Sequence, residues 1–377
     1  MPGKIPHREE ELRQITSILA PALKGYQLNN IFIYGTVGTG KTICIRYVLS
    51  QLEDISKGKG IKTMYVNCKM KKVADTEYRL LVQFLKEMGI VVPETGLPTH
   101  VLYRRFFDTV DEKRQILILV LDEIDTLYKK IGDEFLYNLT RVNGEMRNAH
   151  IALVGITNDL SFQDNLDLRV KSSLSEEQII FKPYDAVQLK DILAERVKEG
   201  FLDGAVSEEI LNMCAAVAAQ EHGDARRAID LLRVSGEIAE RLNENAITYK
   251  HVEMAEEKLD LDRVTETIKT QPKQSQAVLY AIIKLQEKTK GQKKWIDKRI
   301  LTGDIYGAYM EICTNNNIKT LTQRRVSDLI GELDMLGIIT AKVISKGRYG
   351  RTREVSLAMN DSVLQRVSGL LSEKLGI

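Results

Sequence analysis

Only four cysteines, one tryptophan and seven prolines occur among the 377 residues of this chain. Cys44, Cys68, Cys214 and Cys313 stand apart with no C-x-x-C pair, which argues against a zinc site or a disulfide framework and leaves small core residues in a reducing compartment. Apolar runs fall short of the ~18 residues of a membrane span, and Met1-Pro-Gly-Lys4 lacks the apolar core of a signal peptide, so the expected location is the cytoplasm. Internal repeats and low-complexity tracts are also missing, and a composition 28% charged and 44% hydrophobic sets disordered and fibrous classes aside.

What is present is enough chain for two or three domains at roughly 150 residues each. The total charge of +2 shows no excess of either sign, yet it is unevenly spread. From residue 270 onward 18 Lys and Arg stand against 10 Asp and Glu, a balance of +8, so residues 1–269 carry 36 against 42, or −6. A basic C-terminal third on an acidic body suggests a polyanion partner for that third alone.

Hydrophobic periodicity divides the chain into three. Short β-rich runs at Asn30–Tyr34, Lys62–Asn67, Gln115–Leu121 and Ile151–Ile156 alternate with helical stretches, the pattern of a parallel sheet covered by helices. Asn29 and Asn30 are expected to close one helix, and Pro93, Gly96 and Pro98 to divide the 70–110 region into two more. Beyond Pro183 the strands stop and four helices follow, with Ser207 and Thr248 as N-caps. The polar stretch Thr265–Gln276 around Pro272 reads as a linker. Three further helices and two β-like runs, joined by the basic tip Lys346-Gly-Arg-Tyr-Gly-Arg-Thr352, have winged-helix order.

The strongest local signal is Gly35-Thr-Val-Gly-Thr-Gly-Lys-Thr42, which follows the apolar strand Asn30–Tyr34 and precedes a helical run. It is a Walker A motif in its required context. Gly35, Gly38 and Gly40 let successive N–H groups face phosphate oxygens at a helix N-terminus; Lys41 is expected on the β and γ phosphates and the Thr42 hydroxyl on Mg²⁺. Asp122 and Glu123 end the fully apolar run Ile116–Leu121, where open α/β sheets bind ligands; Asp122 suits the Mg²⁺ shell and Glu123 a base that polarises water. Taken alone, the pair also fits a helix N-cap. Asn158, after the run Ile151–Thr157, suits the holding of that water, or is an ordinary turn residue.

These three strand ends, in this order and ahead of a helical segment, resemble the AAA+ ATPase superfamily. More narrowly the chain is similar to the archaeal replication initiators related to origin recognition complex subunit one and cell division control protein six. The residues that carry this are Pro6-His-Arg-Glu-Glu10, Leu168-Arg-Val-Lys-Ser-Ser-Leu174, Phe181-Lys-Pro-Tyr-Asp-Ala-Val-Gln-Leu189, Ile192-Leu-Ala-Glu-Arg196 and Gly223-Asp-Ala-Arg-Arg-Ala-Ile-Asp-Leu-Leu232. The resemblance implies an α/β P-loop AAA+ core over residues 1–182, an all-α lid over 183–264 and a C-terminal winged-helix DNA-binding domain over 275–377. It implies ATP or ADP with Mg²⁺ as cofactors. Pro6, His7 and Arg8 match the segment that packs near adenine; Val37, Gly38, Thr39, Gly40, Lys41 and Thr42 form the phosphate loop; Tyr184 and Arg196 match nucleotide contacts at the lid entry. Arg226 matches the sensor-two arginine that reaches the γ-phosphate, and Arg169 the arginine finger normally offered to a neighbouring subunit. The alternative for both is a solvated or ion-paired arginine. Two departures stand out. The chain starts almost at Pro6, so part of the adenine pocket is expected to be trimmed, and Val37 replaces a proline common in relatives.

In a winged helix, Thr322-Gln-Arg-Arg-Val-Ser-Asp328 begins the recognition helix. Val326, Leu329, Ile330, Leu333 and Leu336 form the expected buried stripe; Gln323, Arg324, Arg325, Ser327 and Asp328 are the outward-facing candidates, and Lys346, Arg348, Tyr349 and Arg351 form the wing. Winged helices also dock proteins, but the +8 balance and the arginines at both elements favour DNA. The family's additional DNA-touching helical element is expected between Asn67 and Gln115, at Tyr103-Arg-Arg105 with Arg104 and Arg105 as contacts, or as a merely solvated basic face. The expected function is an ATP-binding initiator on origin duplex, nucleoid-associated, a weak ATPase that works mainly as a nucleotide-switched DNA-binding protein. Its expected partners are the replicative helicase and other initiator subunits. A clamp-loader-like or helicase-loading remodelling ATPase and an ATP-sensing winged-helix transcriptional regulator remain the alternatives.

Overall fold

A computed structural model describes residues 5–69, 76–93, 95–174, 176–290, 299–345, 351–357, 359 and 361–376. The chain forms two compact units, Met1–Arg233 and Val234–Ile377.

The first unit begins with α1 (Glu9–Leu19) and β1 (Asn30–Tyr34), continues through α2 (Lys41–Ile55), β2 (Ile61–Asn67), α3 (Glu77–Glu87), α4 (Thr99–Asp111) and β3 (Gln115–Asp122), and then α5 (Ile124–Ile131) and α6 (Glu134–Arg141). It closes with β4 (Ala149–Thr157), α7 (Leu168–Leu174), β5 (Glu176–Ile180), α8 (Ala186–Gly200), α9 (Glu208–Gln220) and the start of α10 (Ala225–Arg241). The five strands are parallel in the order β2-β3-β4-β1-β5. β3 is apolar without alternation because both of its faces are covered. Leu117, Leu119 and Leu121 point into a core with Phe84, Phe106 and Phe135 of α3, α4 and α6. Ile116, Ile118 and Val120 point into the opposite core with Ile15, Cys44 and Ile45 of α1 and α2. This leaves the carboxyl ends of β1, β3 and β4 as the place where polar side chains can gather.

The second unit holds the rest of α10, α11 (Tyr249–Thr270), α12 (Lys273–Lys290), β6 (Ile300–Leu301), α13 (Thr302–Asn315), α14 (Gln323–Met335), β7 (Ile339–Ser345), β8 (Arg351–Leu357) and α15 (Asp361–Leu375). Its antiparallel sheet has the order β6-β8-β7. Val326, Leu329, Ile330 and Leu333 of α14 share a core with Ile282, Ile305, Tyr309, Val355 and Val367. All four cysteines are buried and unpaired.

Several expectations need correction. Thr265–Gln276 is no linker: α11 runs to Thr270 and α12 starts at Lys273, so only Gln271 and Pro272 separate them. Ile268 is fully buried, and Leu261 and Val264 pack on the same core, an i, i+3, i+7 stripe that outweighs the polar composition. Asn29 and Asn30 do not close a helix; Gly25 does, at φ 77, and the Asn30 side chain instead accepts from Leu153 N at 2.9 Å. Leu336 is the C-cap of α14 and 40% exposed, outside the buried stripe. Two elements carry no clear sequence signal: β5, whose Glu-Glu-Gln start is polar because it is a sheet edge, and α15.

Candidate functional site

Lys41 opens α2, with Gly40 ahead of it in the left-handed region at φ 93. Its Nζ donates to Gly35 O at 2.8 Å, Thr36 O at 2.7 Å and Asn158 Oδ1 at 2.8 Å. An ammonium only donates, so the Asn158 oxygen must face it, which leaves that amide's N–H groups for another acceptor. Burial pushes the Lys41 ammonium down to about 8, against the opposing pull of Asp122. The lysine is thus held by three uncharged oxygens, two of the phosphate loop and one of Asn158. Thr39 is fully buried, and its hydroxyl donates to Thr36 O at 2.9 Å, so its side chain shapes the loop.

At the end of β3, Asp122 Oδ2 accepts from Thr42 Oγ1 at 2.8 Å and from the Tyr65 hydroxyl at 2.5 Å, while Oδ1 accepts from Glu123 N at 3.0 Å. Burial and the bond to Asp122 push the Tyr65 phenol up to about 12. Glu123 adopts a left-handed conformation at φ 57, an unusual backbone of the kind that gathers at functional sites, and its carboxylate lies 3.4 Å from Lys69 Nζ. Asp125 turns to β4 and accepts from Thr157 Oγ1 at 3.1 Å.

These groups open on a cavity of about 240 Å³ within the first unit. Lys41, Thr42, Asp122, Glu123, Asn158 and Arg226 line its polar part, with Gly38 and Gly40. Pro6, Val37, Tyr184 and Ile192 line the rest, with Arg196 at the rim, paired to Glu199 at 2.9 Å. The cavity therefore offers fixed cations and backbone N–H groups at one side and an apolar slot at the other, the two halves a nucleotide needs. Thr42 and Asp122 bring hard oxygen donors together beside the loop, which suits Mg²⁺. Ile5, Ile43, Lys69, Ile192 and Ile229 also line the cavity, and Tyr65 is a partner of Asp122, none of which the motifs mark as site residues.

The three residues before α1 part company. Pro6 lines the cavity, whereas His7 pairs with Asp191 at 2.9 Å and neither His7 nor Arg8 lines it. Arg8 is only 3% exposed, with its guanidinium 3.9 Å from the Tyr184 ring centroid. It donates to Thr39 O at 2.9 Å, Lys182 O at 2.5 Å and Glu11 Oε1 at 2.7 Å, tying the phosphate loop to the segment that enters α8. The arginine's planar fork makes this three-way fastening possible.

The start of α10 also rests on the loop. Asp224 caps the helix, accepting from Arg226 N at 2.8 Å, and Ala225 N donates to Gly38 O at 3.3 Å. A Cβ on Gly38 would lie 1.6 Å from Asp224 Oδ1, and φ there is 74°, so only glycine allows this approach. Arg226 itself is exposed. Arg169 stands apart: its side chain is 83% exposed, paired with Asp167 at 3.1 Å, and it does not line the cavity.

Arg104 and Arg105 are exposed on α4, with Arg104 Nε 4.0 Å from Asp108. In the second unit Gln323, Arg324 and Arg325 are exposed on the first turn of α14 and Ser327 is half-buried. Arg325 pairs with Glu332 at 3.2 Å; no ion pair holds Arg324 among the described residues. Arg353 Nη1, which the sequence reading had not singled out, donates to Ser327 O at 3.1 Å and fastens β8 to α14. Gln323, Arg324, Ser327, Val343 and Arg353 line one concavity. Lys346, Arg348 and Tyr349 lie outside the described residues, and Arg351 opens β8.

Comparison with known proteins agrees along the whole chain. Residues 26–162 match a family described as AAA domain, 190–257 the Cdc6 AAA+ ATPase-type lid domain, and 266–366 the CDC6, C terminal winged helix domain. The chain is 48% identical over 372 residues to an ORC1-type DNA replication protein of Pyrococcus abyssi, covering 97% of this chain and 86% of that one. It is 48% identical over 360 residues to ORC1-type DNA replication protein 1 of Methanosarcina mazei, covering 95% and 85%. The structure of the Aeropyrum pernix ORC1 protein in complex with DNA superposes with a TM-score of 0.85 at 43% identity, covering 99% of this chain and 94% of that one.

Proposed function

The chain belongs to the family of ORC1-type DNA replication proteins, and from that premise we propose that it binds origin duplex as an initiator switched by ATP. The observation that carries this is the meeting, in one cavity, of Lys41, Thr42, Asp122 and Asn158 from the sheet ends with Tyr184, Arg196 and Arg226 from the segment beyond. A nucleotide there places phosphate oxygens beside the buried Lys41. Thr42 and Asp122 would hold Mg²⁺, which would supply charge neutralisation for the phosphates. Arg226 at the head of α10 distinguishes ATP from ADP, because only ATP offers a γ-phosphate, so occupancy sets the lid. Glu123 polarises water and the Asn158 amide orients it, giving slow hydrolysis, and Arg169, which is outside its own cavity, serves a neighbouring subunit's nucleotide.

The family relative from Aeropyrum pernix was solved in complex with DNA. For this chain we assign duplex contact to Gln323, Arg324, Arg325 and Ser327 of α14, to Lys346, Arg348, Tyr349 and Arg351 of the wing, and to Arg104 and Arg105 of α4. Among these Arg324 has the clearest opportunity, being exposed and, among the described residues, without an ion pair to break. The functional parts are a core to residue 182, a helical lid beyond it and a winged-helix body that takes in the end of α11 from Leu261, and the partners are the replicative helicase and other initiator subunits at the nucleoid. Among the described residues no helix is long and apolar enough to cross a membrane.

The test is a genome-wide map of DNA occupancy for the wild type, Lys41→Ala and Arg324→Ala. Sharp occupancy at replication start sites, lost in Arg324→Ala and altered in Lys41→Ala, is expected. Occupancy confined to promoters, with replication timing unchanged when the protein is depleted, would sink the proposal.

A further inference from the structure

Asp122 holds its carboxylate with an economy of donors in which one partner is unaccounted for by the nucleotide machinery. Thr42 belongs to the phosphate loop and Glu123 N follows Asp122 in the chain, but the second donor to Oδ2 is a phenol from the neighbouring strand, Tyr65 at 2.5 Å. We infer that Tyr65 is a positioning residue that sets how tightly the nucleotide site holds its divalent cation. The inference rests on the nucleotide and Mg²⁺ reading above.

An aspartate's terminal torsion is broad, so a carboxylate fixed at fewer points swings. Here three donors fix both oxygens of Asp122. Thr42 has one hydroxyl hydrogen and two lone pairs. With the hydrogen committed to Asp122 Oδ2 at 2.8 Å, the lone pairs are left for a cation, so the orientation of Asp122 governs that of the Thr42 oxygen. Tyr65 is itself held from two sides. The parallel register pairs Tyr65 with Val120 and Asn67 with Asp122, so the long phenol spans the two residues up to the strand end. Arg46, one turn beyond Thr42 on α2, lays its guanidinium 4.1 Å from the Tyr65 ring centroid. The hydroxyl is thereby carried on a clamped ring, which is how an outer partner orients a metal ligand.

Tyr65→Phe keeps the ring and the Arg46 stack and removes one oxygen. The experiment follows binding of a fluorescent ADP analogue, once in EDTA and once as Mg²⁺ is titrated, with the thermal midpoint of each protein recorded. The expected result is unchanged affinity in EDTA and a Mg²⁺ requirement raised about tenfold, the size of effect that loss of an outer partner has on metal affinity. A purely packing role would leave the Mg²⁺ requirement in place, and identical titrations of the two proteins overturn the inference. Equal weakening with and without Mg²⁺ overturns it too, because the hydroxyl then acts on the nucleotide site as a whole. Wild-type affinity that ignores Mg²⁺ would remove the cofactor assignment, and this inference with it.

Discussion

Raising the pH should loosen nucleotide binding, because of one lysine. The Lys41 ammonium is depressed to about 8 by burial, and its three direct acceptors are uncharged oxygens. Nucleotide phosphates favour its charged form and lift that value, so above it binding must take up a proton, and affinity falls as pH rises. From about pH 7.5 to about pH 9 the charged fraction drops from roughly three quarters to roughly one tenth, so the Kd for ADP should weaken about eightfold, near 1.3 kcal/mol. The interval starts above the second ionisation of a phosphate, near 6, which keeps the ligand's own charge constant. Calorimetric titration in two buffers of different ionisation enthalpy would measure both the affinity and the proton uptake. Lys41→Arg, charged at every pH used, should bind with a flat profile whatever its absolute affinity. A flat wild-type profile, or an arginine variant that declines in parallel, would refute the reasoning.

Arg8→Ala removes the donor shared by Thr39 O, Lys182 O and Glu11, and should cost about 3 kcal/mol in a denaturant titration, as loss of one buried charged partner does; a change below about 1 kcal/mol would show that the fastening is replaceable. Gly38→Ala forces a methyl group against Asp224 in a backbone conformation that disfavours it, and should lower ATP affinity more than tenfold (about 1.4 kcal/mol) while the sheet core stays folded, read by titration and circular dichroism. On duplex DNA, Arg324→Ala should reduce the slope of log affinity against log salt by about one if Arg324 meets a phosphate. Arg353→Met should weaken the same binding with an unchanged slope, because it frees Ser327 O and loosens the seat of α14. Equal slopes for wild type and Arg324→Ala would exclude the phosphate assignment.

What could be read from the sequence was whatever neighbouring residues impose on each other. The phosphate loop is eight consecutive residues between an apolar strand and a helix, and Asp122 and Glu123 close an uninterrupted apolar run, so their place at the sheet's carboxyl edge needed no knowledge of distant contacts. Asn158 followed by the same logic. Tyr65 was illegible because its partner is set by the register of two strands with a long insertion between them, from Asn67 to Gln115. Arg8 looked like part of a nucleotide segment, yet its direction depends on where Lys182 O and the Tyr184 ring arrive. Arg353 is one of several basic residues around the hairpin, and only the hairpin's fold against α14 selects it. Composition misled at Thr265–Gln276, where a sparse apolar stripe ending in Ile268 decided the structure against a polar majority.

That junction has a mechanical consequence. Ile268 on one side of Pro272 and Ala281 and Ile282 on the other are buried in the same core, so α11 and α12 are welded across two residues rather than strung on a tether. A tether lets a DNA-reading module search orientations and lose the signal from a distant nucleotide in doing so. A weld does neither. The last turns of α11, from Leu261 to Ile268, therefore move as one body with α12 and the winged-helix core, and no hinge exists at Pro272.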